Sequence, residues 1–185
     1  LPRAHASAGM MLWDTSRAPE VLPVFAAWSR TAPEEITPSF RIMRFPPIPE
    51  LPDFLRGRSL VVLDGAALLP DEDAVEVLAP FRDLDPELDT FARVPAASLT
   101  RLHMDPENPT PAVGAGIVLE HLDDAAVEAL LPSVGPDAAT TVFIAQPRQL
   151  GGALGRPAAR GGAWTSLPCS PLALCIAVAP NAAIC

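Results

Sequence analysis

Apolar positions change their spacing several times along the chain, and each change marks a predicted element. Residues 6–13 are apolar almost throughout and stop at Asp14-Thr15-Ser16, so a short strand runs into a helix start. Over 18–30, Val21, Leu22, Val24, Phe25 and Trp28 recur at helical spacing and form one apolar stripe. Pro19 suits the first turn of that helix, whereas Pro23 lies deep enough to kink it or delay its start. Residues 36–45 alternate, with Ile36, Pro38, Phe40 and Ile42 against Thr37, Ser39 and Arg41, which predicts a half-buried strand. The run Phe45-Pro46-Pro47-Ile48-Pro49-Glu50-Leu51-Pro52 excludes regular structure and predicts an extended, polyproline-like surface loop.

A strand at 59–69 then leads into a second helix, with Asp71, Glu72 and Asp73 in the first turn, where the helix dipole favours acids. Ala74, Val75, Leu78 and Phe81 form its apolar side. A weak strand at 90–94, a short helix at 96–102 and a strand at 113–120 follow. Asp123 caps a third helix that runs to Val134 and stops at Gly135-Pro136, and strands at 140–146 and 172–178 close the chain. Strands adjacent in sequence, interrupted by three amphipathic helices, predict an α+β fold in which helices cover one face of an antiparallel sheet. Residues 1–185 read as a single domain. The helices recur at similar intervals, which is compatible with a β-α-β-β unit used twice, although no sequence repeat is apparent.

Composition narrows the function. Apolar residues make up 49%, charged residues 19%, and the net charge is −9, which describes an acidic, soluble, globular protein and argues against nucleic acid as a partner. All 13 basic residues are Arg; with Lys and Tyr absent, this chain can supply neither a Lys Schiff base nor a tyrosine acid or base. The Ala-, Pro-, Arg- and Asp-rich usage resembles the coding bias of a GC-rich bacterial genome. Cys169, Cys175 and Cys185 fit neither a zinc pattern nor a disulfide framework, so no metal is expected and reduced, cytoplasmic thiols are. The apolar run 171–180 is too short to span a membrane, and no signal peptide is visible. A start at Leu1 without Met suggests a piece of a longer chain.

The candidate chemistry is sparse. Arg148-Gln149-Leu150-Gly151-Gly152-Ala153-Leu154-Gly155-Arg156 follows an apolar run and lacks the spacing of a phosphate-binding loop. It reads either as a Gly-rich turn between strands or as a place where something passes close to the backbone. In His103-Met104-Asp105-Pro106, Asp105 could orient the imidazole as a general-base pair; the simpler reading gives Asp105 a turn role before Pro106. His121 reads as a surface residue. Trp13, Trp28 and Trp164 read as core or interface anchors. Ser98 and Ser166 lack the context of a hydrolase nucleophile. The residues alone therefore describe an acidic α+β domain without a self-contained active site.

Several stretches, in consistent order, resemble the substrate domain of bacterial FAD-linked oxidases of the berberine-bridge-enzyme-like type, in the vanillyl-alcohol-oxidase/p-cresol-methylhydroxylase superfamily. They are Gly9-Met10-Met11-Leu12-Trp13, the Trp28 helix with Ala32-Pro33-Glu34, Phe45-Pro46-Pro47-Ile48-Pro49, Arg56-Gly57-Arg58, Leu102-His103-Met104-Asp105-Pro106, and Arg148-Gln149-Leu150-Gly151-Gly152-Ala153-Leu154. The resemblance implies a substrate-binding-type domain, a fragment of a larger flavoprotein, whose FAD is held mainly by a domain or subunit outside this chain. It also implies hydride transfer from a small organic substrate to the flavin, with Arg148, Gln149, Gly151, Gly152, His103 and Asp105 facing substrate or flavin. Such a piece would be inactive in isolation, and its exposed sheet face would favour self-association. Where the resembling enzymes carry an acid before the Arg, this chain has Pro147, and their Tyr- and Asn-containing closing motif is absent. Those departures suit a second expectation, a non-catalytic ligand-binding or interaction module, or a degenerate or truncated product without redox activity.

Overall fold

The computed structural model describes residues 3–105, 110–167 and 171–178. Cys169 and Cys185 lie outside the described residues; Cys175 is a half-buried free thiol. In chain order the elements are His5–Asp14 (β1), Ala18–Ser29 (α1), Ile36–Arg44 (β2), Ser59–Ala67 (β3), Asp71–Val77 (α2), Ala79–Arg82 (α3), Leu88–Asp89 (β4), Ala92–Pro95 (β5), Ala112–Val118 (β6), Asp124–Val134 (α4), Ile144–Arg148 (β7) and Leu172–Val178 (β8). Short 3-10 segments occupy Thr15–Arg17, Ala96–Arg101 and Gly152–Gly155.

The strands form an eight-stranded antiparallel sheet in the order β4-β1-β3-β2-β7-β8-β6, with β5 also paired to β1. The topology is that of one unit used twice. In β1-α1-β2-β3 the sheet order is β1-β3-β2; in β6-α4-β7-β8 it is β6-β8-β7, and the units meet through the antiparallel pair β2–β7. The α+β class and the antiparallel sheet agree with the hydrophobic pattern.

Side-chain alternation sorts each strand onto two faces. Met11 and Trp13 of β1, Phe40 and Ile42 of β2, Val61 and Leu63 of β3 and Ala145 of β7 share the face covered by α1, α3 and α4, which contribute Leu22, Phe25, Phe81, Val127 and Val134. Helices α1 and α4 pack against each other over it. The indole N–H groups in this core have partners: Trp13 donates to the Leu84 carbonyl at 2.9 Å and Trp28 to that of Val77 at 2.8 Å. Trp164 is instead 77% exposed.

On the other face, Leu12, Met43, Leu60 and Val62 pack beneath Phe45 and Leu55 of the proline-rich loop. That loop has no helix or strand; Arg56 holds it by donating to the carbonyls of Ile48, Pro49 and Leu51 at 2.9–3.1 Å. With the loop on one side and helices on the other, β2 is buried on both faces. This corrects the half-buried expectation, because alternation along one strand does not reveal a cover contributed by a distant loop.

Other departures have local causes. The second helix breaks at Leu78, and α3 restarts with Pro80 in its first turn. The strand expected at 90–94 is the pair β4 and β5, and the short helix after it is a 3-10 segment. The expected strand at 140–146 begins only at Ile144 and runs on to Arg148. Pro23 neither delays nor ends α1, which starts at Ala18; Pro23 is exposed, where water can serve the freed carbonyl. Pro147 does leave a mark. It sits in a strand paired on both sides, and the β2–β7 register omits it, since proline has no N–H for the ladder.

Candidate functional site

The open part of the sheet carries buried polar groups. Residues paired across the strands form a row on the face away from the helices: Met10, Asp64, Ser39, Arg148 and Leu172. Arg41 and Gln146 belong to the same face, one pleat along. Of these, Ser39, Arg41, Asp64 and Gln146 are buried, Asp64 completely. Such burial is sustainable only when charges are paired and hydrogen-bonded. Arg41 Nη2 donates to Asp64 Oδ2 in a buried ion pair. Arg41 Nη1 donates to the His103 carbonyl at 3.3 Å, and His103 Nδ1 lies 3.1 Å from Asp64 Oδ2. Arg41 and Asp64 thus fix both the backbone and the ring of His103. Asp64 Oδ1 and Arg41 Nε are buried without a hydrogen-bond partner among the described residues.

His103 reaches the sheet from above. It follows the 3-10 segment Ala96–Arg101, and the chain turns away at Met104, whose φ of 52° is left-handed. Burial and the positive fields of Arg41 and Arg148 hold the His103 pKa below its ordinary value, with Asp105 opposing them. At neutral pH the ring is therefore uncharged. Its Nδ1 carries the hydrogen, since a carboxylate can only accept, and Nε2 carries the lone pair. Burial likewise lowers Arg41 to about 10, still protonated at neutral pH.

Arg148 stands at the end of β7. With the Gln146 amide oxygen turned toward its donors, Gln146 accepts from Arg148 Nε at 3.3 Å and Nη2 at 2.9 Å, and from the Ser39 hydroxyl. Among the described residues no carboxylate lies within ion-pair distance of Arg148. Between Arg148 and His103 runs a groove of about 220 Å3, with Thr37 and Ser39 as its other polar groups and Pro38, Ala66, Leu99 and Leu102 as apolar wall.

The structure brings together only part of the predicted set. Arg148 and His103 share the groove, and Asp105 is close enough to act on His103 electrostatically. Asp105 is not the carboxylate that orients the ring; Asp64, from β3, takes that place. This correction follows from the turn at Met104, which carries Asp105 out to solvent. Gln149 points to the helix side and donates to the Ser29 carbonyl at 2.8 Å. Gly151 and Gly152, at φ 156° and 55°, make the turn that packs on Glu34, which Arg156 also binds at 2.5 Å. Sequence reasoning does not reach Ser39, Arg41, Asp64 and Gln146. The available signal was a charge interrupting an apolar strand: Asp64 in SLVVLDGAA and Arg41 between Phe40 and Ile42.

No family model matches the sequence, and no curated protein matches it. Solved structures do. The chain superposes on BBE-like 1 of Physcomitrella patens with a TM-score of 0.72 at 14% identity, covering 96% of this chain and 39% of that one. Berberine bridge enzyme, in a histidine-to-alanine variant, gives 0.68 at 9% identity, with 97% and 36% covered. Chitooligosaccharide oxidase gives 0.68 at 14%, with 95% and 39% covered. The fold is one shared with BBE-like oxidases. The chain spans about two fifths of the length of these structures. The described residues do not form an FAD cradle. The groove, at about 220 Å3, falls below the ~300–1,000 Å3 of cavities that enclose a drug-sized ligand. Among the described residues no group of His, Cys, Asp and Glu could hold a metal, and no helix is long and apolar enough to cross a membrane.

Proposed function

We propose that the chain is the substrate-side domain of an FAD-dependent oxidoreductase acting on a small organic molecule, with FAD held by a domain or subunit outside the described residues. The observation that carries this reading is the position of the groove. It opens on the helix-free face of a sheet shared, over nearly the whole chain, with BBE-like oxidases. Flavin chemistry removes hydride from a carbon, and the oxidation of an alcohol or amine also releases a proton. His103 Nε2 is suited to accept that proton, since Asp64 fixes the tautomer and Arg41 fixes the backbone. Arg148 supplies donors that orient the substrate.

Absorption spectroscopy tests the reading. The protein is purified alone and after co-expression with the neighbouring upstream reading frame. Flavin bands retained through gel filtration in the co-expressed sample are the expected result; colourless protein in both preparations overturns it. A second reading, a non-catalytic ligand-binding module, draws support from Pro147, which interrupts β2–β7 pairing beside the groove. It predicts small-molecule binding without any flavin.

A further inference from the structure

We infer that the groove between Arg148 and His103 takes a small monoanion, a carboxylate with an apolar body. The inference deepens the proposed function and rests on it only for what happens to the bound molecule afterwards. Three observations carry it. First, Arg148 is half-buried at a strand end with a neutral amide, Gln146, as its partner and no carboxylate within ion-pair distance among the described residues. A guanidinium held through Nε and Nη2 keeps N–H donors in a fixed fork, which matches a carboxylate. Second, Arg41 is paired with Asp64, and Asp105, which is exposed to solvent, acts on Arg41 and His103. Among the described residues Arg148 is thus the one groove cation without a paired carboxylate, which favours a monoanion over a phosphate dianion. Third, Pro38, Ala66, Leu99 and Leu102 form an apolar wall beside the guanidinium, and about 220 Å3 suits a single ring or a short chain.

Benzoate, benzamide and inorganic phosphate, titrated into the full chain by isothermal calorimetry and ligand-observed NMR, test this. Benzoate binding is expected, with benzamide and phosphate each at least about tenfold weaker. Arg148→Leu should weaken benzoate about tenfold or more, while Arg148→Lys, which keeps the charge but loses the fork, falls between. Circular dichroism matching wild type confirms that the variants fold. No benzoate binding, equal binding of benzamide, tighter binding of phosphate, or an unchanged affinity in folded Arg148→Leu overturns the inference. The assay needs no flavin, so its failure leaves the spectroscopic test intact, and a colourless protein that binds benzoate refutes only the redox reading.

Discussion

Asp64 shows how one side chain organises several others. Fully buried on β3, it accepts from the Arg41 guanidinium and the neutral His103 ring at once, and the Arg41 charge would be costly to bury alone. Asp64→Asn leaves the Arg41 charge uncompensated and is expected to cost about 3–5 kcal/mol in chemical denaturation. Replacing Arg41 and Asp64 together by Met and Leu should cost much less, because no unpaired charge remains. His103 provides a pH test. Its folded pKa is lowered, so the unfolded chain binds more protons between the two values, and stability falls as pH drops through the ordinary histidine value of about 6.5. Denaturation midpoints from pH 8 to 5 should follow that fall in wild type and be flatter in His103→Gln. An unchanged slope would refute it.

Among elements, two contacts decide how the sheet is framed. Gly9 lets β1 approach the segment between β4 and β5; an added Cβ would lie 2.5 Å from the Phe91 nitrogen. Gly9→Ala should destabilise by about 1–3 kcal/mol, whereas Gly162→Ala, with nothing within 4 Å, should be neutral. Arg44, at the end of β2, donates to the carbonyls of Val134 and Gly135 at 2.6 and 2.8 Å and so closes the C-terminus of α4. Arg44→Ala should cost about 1.5–3 kcal/mol, with the loss of amide protection concentrated in the last turn of α4. Gly152 belongs to this scale as well. Its φ of 55° and contact with Glu34 make Gly152→Val a folding variant rather than a probe of the groove. The elements themselves were legible because long apolar stripes and caps act locally, as in α1, α4 and β8. Their boundaries slipped where neighbours in space took over, at Leu78 and at the late start of β7.

The whole molecule is unevenly covered. The β1-α1-β2-β3 half is enclosed by helices and the proline-rich loop, while β6 is exposed along its length and pairs only with β8 among the described residues. Val113, Ile117 and Val118 are each more than half exposed there. An open apolar edge strand favours pairing with another chain, so the protein should self-associate in sedimentation experiments. Ile117→Lys should shift it toward monomer. A wild-type protein that is cleanly monomeric and binds no hydrophobic dye would contradict this.

By itself the sequence determined the α+β class and the antiparallel sheet with helices on one face, and it singled out Arg148 and His103 as candidates. Those features follow from periodicity, caps and local residue chemistry. Only the tertiary structure decided the site's membership. Asp64 stands 39 residues before His103, and its strand reads from sequence as an apolar run with one odd charge. Strand pairing across β3, β2 and β7 sets Asp64, Ser39 and Arg148 side by side, a relation no local spacing records. The same folding turned Asp105 to solvent and Gln149 to the helices, since neighbours in sequence point to opposite sides of a strand or turn.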